Sequence, residues 1–559
     1  GVGRTLTIGG VTFTTPDHRP FMPNIQASAG GLPAIRTATA AQGYRFVGIE
    51  FLPNPLGFNV IVEFGVNTSA QRTVAEEPKD LYVDRSILSG SPIFGQKVGI
   101  DLNCSNCGIT NSWIENTAGL GQDAIAVRAI DSSGPPTVDN NLMEGAAENT
   151  IIGGDDPWMT QAADVNAGAT TTTATLSNFT DRGGSAFGSI ASLKVEQPII
   201  FLGGNNTTRY PSIVRSCGTS TPGASCTSNT ITYDALPAAP DTGAASDVRW
   251  GDGIPNVVTF RRNLVYKPLA WRNPIISGLT GTVTATPSTT GGTLTAGTKY
   301  YRISPYNDSG YTGANTFATA SSEVSATTTG TTGSVALSWT AVPNVTHYRV
   351  YKGTTAGAPT GYFVVSTNSA TDTGQSLTSS TSVPAASKWV VKVLFELKFG
   401  RNVLVEANIF ENNWGGQGDA FGQCAWLKSN SQGGACEHCG TRDVTWRHNI
   451  CRNVNGYFNI LSSNQTGANK TIPLSNVTIV DSLFQNSSTV YGPSVDAIRV
   501  SGGVNNLTFN HNTFTSSARG GIYFTNAVTT PGFVFTNNVL PAPSYPIFGL
   551  GCTIGNGCL

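Results

Sequence analysis

Charge is scarce in this sequence. Only 12% of the 559 residues are Asp, Glu, Lys or Arg, about half the usual share, which excludes long, solvent-exposed charged helices. The 33 basic and 34 acidic residues nearly cancel, to a formal charge of −1. No basic tract gathers locally, so nucleic-acid binding has no electrostatic footing. No run of 18 apolar residues occurs, and no segment reads as a membrane-spanning helix. A Gly-x-Ser-x-Gly elbow, a His-Glu-x-x-His motif, a P-loop and a dinucleotide fingerprint are all missing. Disorder is excluded too: hydrophobic residues make up 39% and recur in short β-branched groups, unlike the polar, highly charged chains that stay unfolded.

What is abundant is glycine, with 64 residues, set among Thr, Ser and Asn. There are ten cysteines. Cys104 and Cys107, Cys217 and Cys226, and Cys552 and Cys558 form close groups, and Cys424, Cys436, Cys439 and Cys451 make up the rest. An even number in local groups points to disulfides and an oxidising compartment. The expected location is extracellular or cell-surface, with a processed N-terminus at Gly1. Asn-x-Ser/Thr sites such as Asn67, Asn205, Asn464, Asn476 and Asn506 are compatible with that compartment.

One pattern recurs along most of the chain: alternating apolar residues, a small polar residue, then another apolar pair. It is clearest in Val258-Thr-Phe-Arg-Arg-Asn263-Leu-Val and Val403-Leu-Val-Glu-Ala-Asn408-Ile-Phe. Asn141, Asn449, Ser482, Asn512 and Asn538 mark further copies, and Ser112 an early one. Spacings of 29 residues (112 to 141), 41 (408 to 449), then 33, 30 and 26 are too short for independent domains and suit stacked coils. Alternation implies strands, and the shared polar position marks a bend. There Asn tolerates a left-handed backbone and can bond the Asn of the next coil. A structural ladder of Asn141, Asn263, Asn408, Asn449, Asn512 and Asn538 is therefore expected.

These units, with Leu394-Phe-Glu-Leu-Lys-Phe-Gly-Arg401 running into Asn408-Ile-Phe-Glu-Asn-Asn-Trp414, Phe260–Trp271 and Glu148–Gly154, resemble bacterial right-handed parallel β-helix repeat proteins, which share the pectate-lyase fold. The resemblance spans about residues 40–165, 250–275 and 388–550. It implies an all-β solenoid and leaves activity open, because such scaffolds carry lyases, hydrolases, spikes and adhesins.

Two stretches interrupt the repeat. Residues 278–387 lose the Asn frame. Ser334-Val-Ala-Leu-Ser-Trp339 and Thr346-His-Tyr-Arg-Val-Tyr351 resemble the middle strands of a fibronectin type III-like sandwich, although Lys299–Tyr306 precedes them where the usual order has it follow. Residues 166–250 read as a smaller β-rich insertion. The expected organisation is thus a β-helix part (1–165), a β-rich insertion (166–250), a single coil (251–277), a sandwich (278–387) and a second β-helix part with a terminal cap (388–559). Both insertions are expected to leave and re-enter on one side of the stack.

Chemistry is harder to find. The best acidic candidates are Asp123, Asp155 and Asp156, with Asp419 in a similar Gly-rich setting. Gly-Asp-Asp resembles a carboxylate pair of polygalacturonase-like β-helix enzymes, but the later His-Gly and Arg-Ile-Lys elements are missing. Asp before Pro in a Gly-rich turn is also an ordinary bend residue. No cofactor or metal is expected, with Ca²⁺ reserved for a lyase reading. Cys-x₂-Cys beside His438 could form a zinc site, yet disulfides are the stronger reading. Trp113, Trp158, Trp271, Trp414 and Trp426 would form a sugar-stacking stripe if their loops coincide.

The apolar, β-prone termini, including Thr5–Thr14, suggest self-association through terminal strands and, equally, simple caps on the chain's own helix. The expected function is therefore a non-enzymatic extracellular structural protein, a filament or adhesive fibre subunit. The alternatives are a polysaccharide lyase or hydrolase working in a groove on a coil face, and a carbohydrate-binding adhesin.

Overall fold

The computed structural model describes residues 18–550 apart from 28–30, 54–58, 204–207, 244–247, 308–315, 419–420, 463–470, 494, 518, 526–527 and 542–544. It also gives the backbone of a two-stranded hairpin, Thr5–Ile8 with Val11–Thr14. Asp419, Asn205, Asn464, Cys552 and Cys558 lie outside the described residues.

Three long parallel sheets make up most of the molecule. The first has eleven strands from Ile35–Arg36 to Ile547–Gly549. The second has ten, from Gln42–Val47 to Val534–Thr536. The third has ten, from Asn24–Ile25 to Thr513–Phe514. Each turn of chain adds one strand to each sheet in rotation, so the fold is a right-handed parallel β-helix. Every strand pairs with its equivalents on adjacent coils, which satisfies the backbone groups that a buried strand cannot leave unpaired.

Alternation decides what fills the tube. Val403 and Val405 point inward from one second-sheet strand, and Val444 and Trp446 stack on them from the next coil. Aromatic residues continue the stacking: Phe410 lies on Trp446 at 4.8 Å, and Phe484 on Phe514 at 4.6 Å. The result is one continuous core from Phe51 to Phe524.

The polar residue of the repeat forms a ladder between the second and third sheets. The Asn263 backbone N–H and Nδ2 both donate to Asn408 Oδ1, at 2.9 and 3.0 Å. Asn408 does the same to Asn449, Asn141 to Asn263, and Asn512 to Asn538. Ser112 and Ser482 occupy rungs with a hydroxyl in place of the amide. The left-handed residue of each bend is not the ladder residue, as the repeat suggested, but the one before it: Asn140, Arg262 (φ 55°), Ala407 (φ 55°), His448, Asp481, His511 and Asn537. The ladder side chain points inward and is buried, so its amide serves the neighbouring coil and the bend strain falls on a residue whose side chain faces out.

The first insertion begins at Thr160 and closes six antiparallel strands into a barrel ending at Gly251. It has its own core around Phe201, Tyr233 and Trp250, which includes the Cys217–Cys226 disulfide. Gly153, at φ 72°, lets the chain leave the column there, since a Cβ would sit 2.7 Å from the Phe399 ring. The second insertion folds as two antiparallel sheets, one of Thr284–Ser288, Ser334–Ser338 and Ser369–Asp372, the other centred on Gly297–Asn307 and His347–Gly353. Trp339 lies in their shared core. Contrary to expectation, the insertions leave from different corners. The barrel follows a first-sheet strand (Glu148–Ile152) and the sandwich a third-sheet strand (Leu264–Tyr266), so they flank the first sheet on its two sides.

Three described disulfides are local: Cys104–Cys107, Cys217–Cys226 and Cys436–Cys439. Cys424–Cys451 is not. It joins the first sheet to the third through the core, across 27 residues of sequence.

Candidate functional site

Along each first-sheet strand, the residue between two core residues points outward. In register, these residues form one row: Arg36, Glu63, Asp101, Arg128, Ile151, Glu396, Trp426, Asn459, Arg499, Tyr523 and Phe548. Neighbours are one strand spacing apart, about 4.8 Å.

The middle of this face carries acids and bases. Glu396 is 1% exposed and bridged to Lys428 at 2.9 Å and Lys398 at 3.7 Å. Glu148 is 2% exposed, with Lys392 Nζ at 4.0 Å and its Oε2 without a hydrogen-bond partner. Burial, aided by the charges of Glu396 and Asp123, pushes the Glu148 carboxyl up to about 8. Chemically this is an acid beside a lysine, the type of pair that moves protons. Both carboxyl groups are nevertheless closed off from solvent, so a polymer lying on the face would not touch them. Behind them Lys267 is fully buried and donates to Gly145 O, Asn149 Oδ1 and Val393 O at 2.7–3.2 Å. Desolvation lowers its pKa to about 7. Those contacts hold together the corner from which the sandwich departs.

Towards the C-terminus the same row becomes aromatic and cationic, and its side chains are half-exposed. Lys428 Nζ lies 3.7 Å from the Trp426 ring centroid, and Trp426 Nε1 donates to Gln423 at 2.7 Å. The Arg499 guanidinium sits 5.5 Å from Phe421 and 5.9 Å from Tyr523, and its Nε has no hydrogen-bond partner. Tyr523 stacks on Phe548 at 4.7 Å, with Tyr545 and Arg519 alongside.

The acids singled out from sequence are held in separate contacts. Asp123 pairs with Lys392 at 2.7 Å, close enough to Glu148 to raise its pKa. Asp155 accepts from Asn67 at 3.2 Å and is exposed. Asp156 is buried and accepts from Ser431 and from Ala435 N, pinning the 431–435 loop. The tryptophans divide as well. Trp271 and Trp414 join Trp389 in a buried cluster at the root of the sandwich, Trp158 stacks with Arg182, Trp113 lies on the third sheet, and Trp426 alone of the five stands in the first-sheet row.

Cys436, His438 and Cys439 do converge, within 4.8 Å of one another. Their sulfurs are bonded to each other, so they offer no thiolate to a metal. Burial, with the charges of Arg401 and Arg249, holds the His438 imidazole well below its usual pKa and hence neutral.

The sequence hides this row, because its repeat is keyed to the Asn bend and the first-sheet strands lie at varying distances from it. A signal existed nonetheless: Phe395-Glu-Leu, Ala425-Trp-Leu, Phe458-Asn-Ile, Ile498-Arg-Val and Ile522-Tyr-Phe each set one non-core residue between two core residues. No family model and no curated protein matches the chain.

Proposed function

We propose that the protein is a non-enzymatic, extracellular adhesive scaffold that holds a glycan along the outer face of its first sheet. The observation that carries this reading is the half-exposed run Trp426–Asn459–Arg499–Tyr523–Phe548. It combines apolar ring surface with unspent amide and guanidinium donors, repeated at coil spacing. Sugars present both apolar C–H faces and hydroxyls, and a linear surface of this kind suits an extended chain. The burial of Glu148 and Glu396 favours binding over turnover. The test is a glycan panel followed by titration of the best ligand. Tyr523→Ala and Arg499→Gln should each weaken binding at least tenfold, with the ligand recovered intact. Cleaved product, or affinity unchanged in both variants, would overturn the reading.

Head-to-tail self-association is the second reading, and it too rests on one observation. Of the 15 large apolar side chains exposed among the described residues, nine lie on the outermost coils: Phe21, Leu32, Tyr44 and Val47 at one end, Val528, Val534, Val539, Tyr545 and Leu550 at the other. A second copy in the same orientation would continue all three sheets and cover both groups. Electron microscopy of untagged native material tests it. Filaments support this reading, and single particles at high concentration count against it.

A further inference from the structure

Charged residues in register on adjacent coils alternate in sign across this molecule. Asp139, Arg261, Glu406 and Arg447 form one such series on the second sheet, with Arg261–Asp139 at 3.1 Å and Arg447–Glu406 at 2.7 Å. Arg452 pairs with Glu411 on the third sheet, and Arg128 with Asp101 on the first. Glu63 and Asp101 are neighbours of like sign, but Arg36 and Arg128 flank them. Like charges directly opposite one another repel, and the alternation avoids that cost.

Arg401 and Arg442 break the rule. They sit opposite each other on adjacent second-sheet strands, and their own neighbours in the row are the neutral Asn256 and Ser475. The Nε of Arg442 is buried with no hydrogen-bond partner, a costly state for a donor. Both arginines line a cleft of about 440 Å³ between the column and the barrel, whose wall includes Lys194, Gln197 and Asn402. Three carboxylates lie near. Asp252 is held by Lys194 at 2.8 Å and Gln197 at 3.1 Å, Asp443 is 3.8 Å from Arg442 Nε, and Glu196 lines the wall. None spans the two guanidiniums. Desolvation, together with the charge of Arg442, lowers the Arg401 pKa to about 10, and the charges of Asp252 and Asp443 offset this only in part.

We infer that this cleft is a binding site for a small molecule bearing an oxyanion (carboxylate, sulfate or phosphate), which bridges Arg401 and Arg442 and supplies the missing negative charge of the row. Planar guanidiniums are suited to bidentate oxyanion contacts, and the cleft has room for a sugar-sized body behind the anionic group. This site is separate from the first-sheet face and does not depend on the glycan reading.

The test is calorimetric titration of the full chain at constant ionic strength with glucuronate, a sulfated glucose and glucose 6-phosphate, which distinguish the three oxyanions, with glucose as the neutral control. At least one anion should bind saturably, and glucose should not. Arg401→Gln and Arg442→Gln should each weaken binding tenfold or more, while Arg447→Gln, from a satisfied pair, leaves it unchanged. In anion-free buffer Arg442→Gln should raise the melting temperature by relieving repulsion, a readout that survives if the Arg401 variant fails to fold. Absence of saturable binding by all three anions, or a lower melting temperature for Arg442→Gln, would overturn the inference.

Discussion

Removing one rung of the asparagine ladder should cost far more than its size suggests. Asn408 is 1% exposed. Its Oδ1 accepts from the Asn263 backbone N–H and Nδ2, and its Nδ2 donates to Phe260 O at 3.0 Å and Asn449 Oδ1 at 2.9 Å. In Asn408→Ala the Asn263 N–H loses its partner outright, and the Phe260 carbonyl and Asn449 Oδ1 each lose one donor. The Asn263 Nδ2 keeps only its bond to Val138 O. The orphaned buried N–H costs about 1–3 kcal/mol and each of the three other lost bonds about 0.5–1.5 kcal/mol, so a loss of about 3–5 kcal/mol is expected after partial relaxation. Asn408→Ser should cost less, about 1–2 kcal/mol, because a hydroxyl already serves the equivalent position at Ser482, where it accepts from Asn449 N at 3.2 Å. Gln485→Ala, on the outer face of the third sheet, should stay within about 0.5 kcal/mol. Urea unfolding with the disulfides intact gives the ranking, and amide exchange at residues 260–263 and 405–409 shows whether the damage is local. Stacked coils need not unfold in one step, so the exchange data decide if the urea transition broadens. A loss below about 1 kcal/mol for the alanine variant, or equal losses for serine and alanine, would refute the reasoning.

Other expectations follow from the same geometry. Because the Glu148 carboxyl is pushed up to about 8, the folded chain holds a proton that the unfolded chain has released between the ordinary carboxylate range and that value. Its contribution therefore becomes more unfavourable as pH rises through this window. Glu148→Gln should accordingly gain stability relative to the parent from pH 5 to pH 9, by more than about 1 kcal/mol, and parallel gains at both pH values would contradict the assignment. Replacing the Cys424–Cys451 pair by alanines should cost about 3.5 kcal/mol by loop closure, against about 1.5 kcal/mol for Cys104–Cys107, and comparing denaturation midpoints of the two double variants tests the order. Ala407→Gly should stabilise the chain by about 1 kcal/mol, because the residue sits at φ 55° where a Cβ is unfavourable; a lower melting temperature would show that the bend is not strained.

The sequence made the solenoid legible through second- and third-sheet strands, because the bend joining them has constant length: Val403–Asn408–Phe410 and Val444–Asn449–Cys451 superimpose residue for residue. The first-sheet face was not legible in the same way. Eleven residues separate Glu411 from Gln423, but only one separates Val454 from Gly456, so no fixed offset from the Asn leads to Trp426 or Asn459. The ladder residues were visible, yet their backbone was not. Arg262 and Ala407 adopt left-handed conformations that their residue types disfavour, and the next coil imposes that geometry. Charge contacts were equally hidden, since Lys392 and Asp123, 269 residues apart, meet only after both insertions are looped out. The barrel was legible only as a β-rich insertion, because its closure depends on pairing between Thr160–Val165 and Val248–Gly251, at its two ends.

The placement of the insertions also determines how the column is joined at mid-height. Glu148 and Val393 are register partners on adjacent first-sheet strands, yet the intervening chain makes a barrel, a coil and a sandwich before returning. Away from the insertions a strand meets its partner after some thirty residues, whereas the ladder residues joining the second and third sheets are 122 residues apart across the barrel and 145 across the sandwich. At this seam closure is long-range in all three sheets, and each pairing carries the entropy of closing a loop that contains one insertion or both. The upper and lower stacks are thus two short-range folding units joined through a coil whose pairings are all long-range, and those pairings are expected to form last.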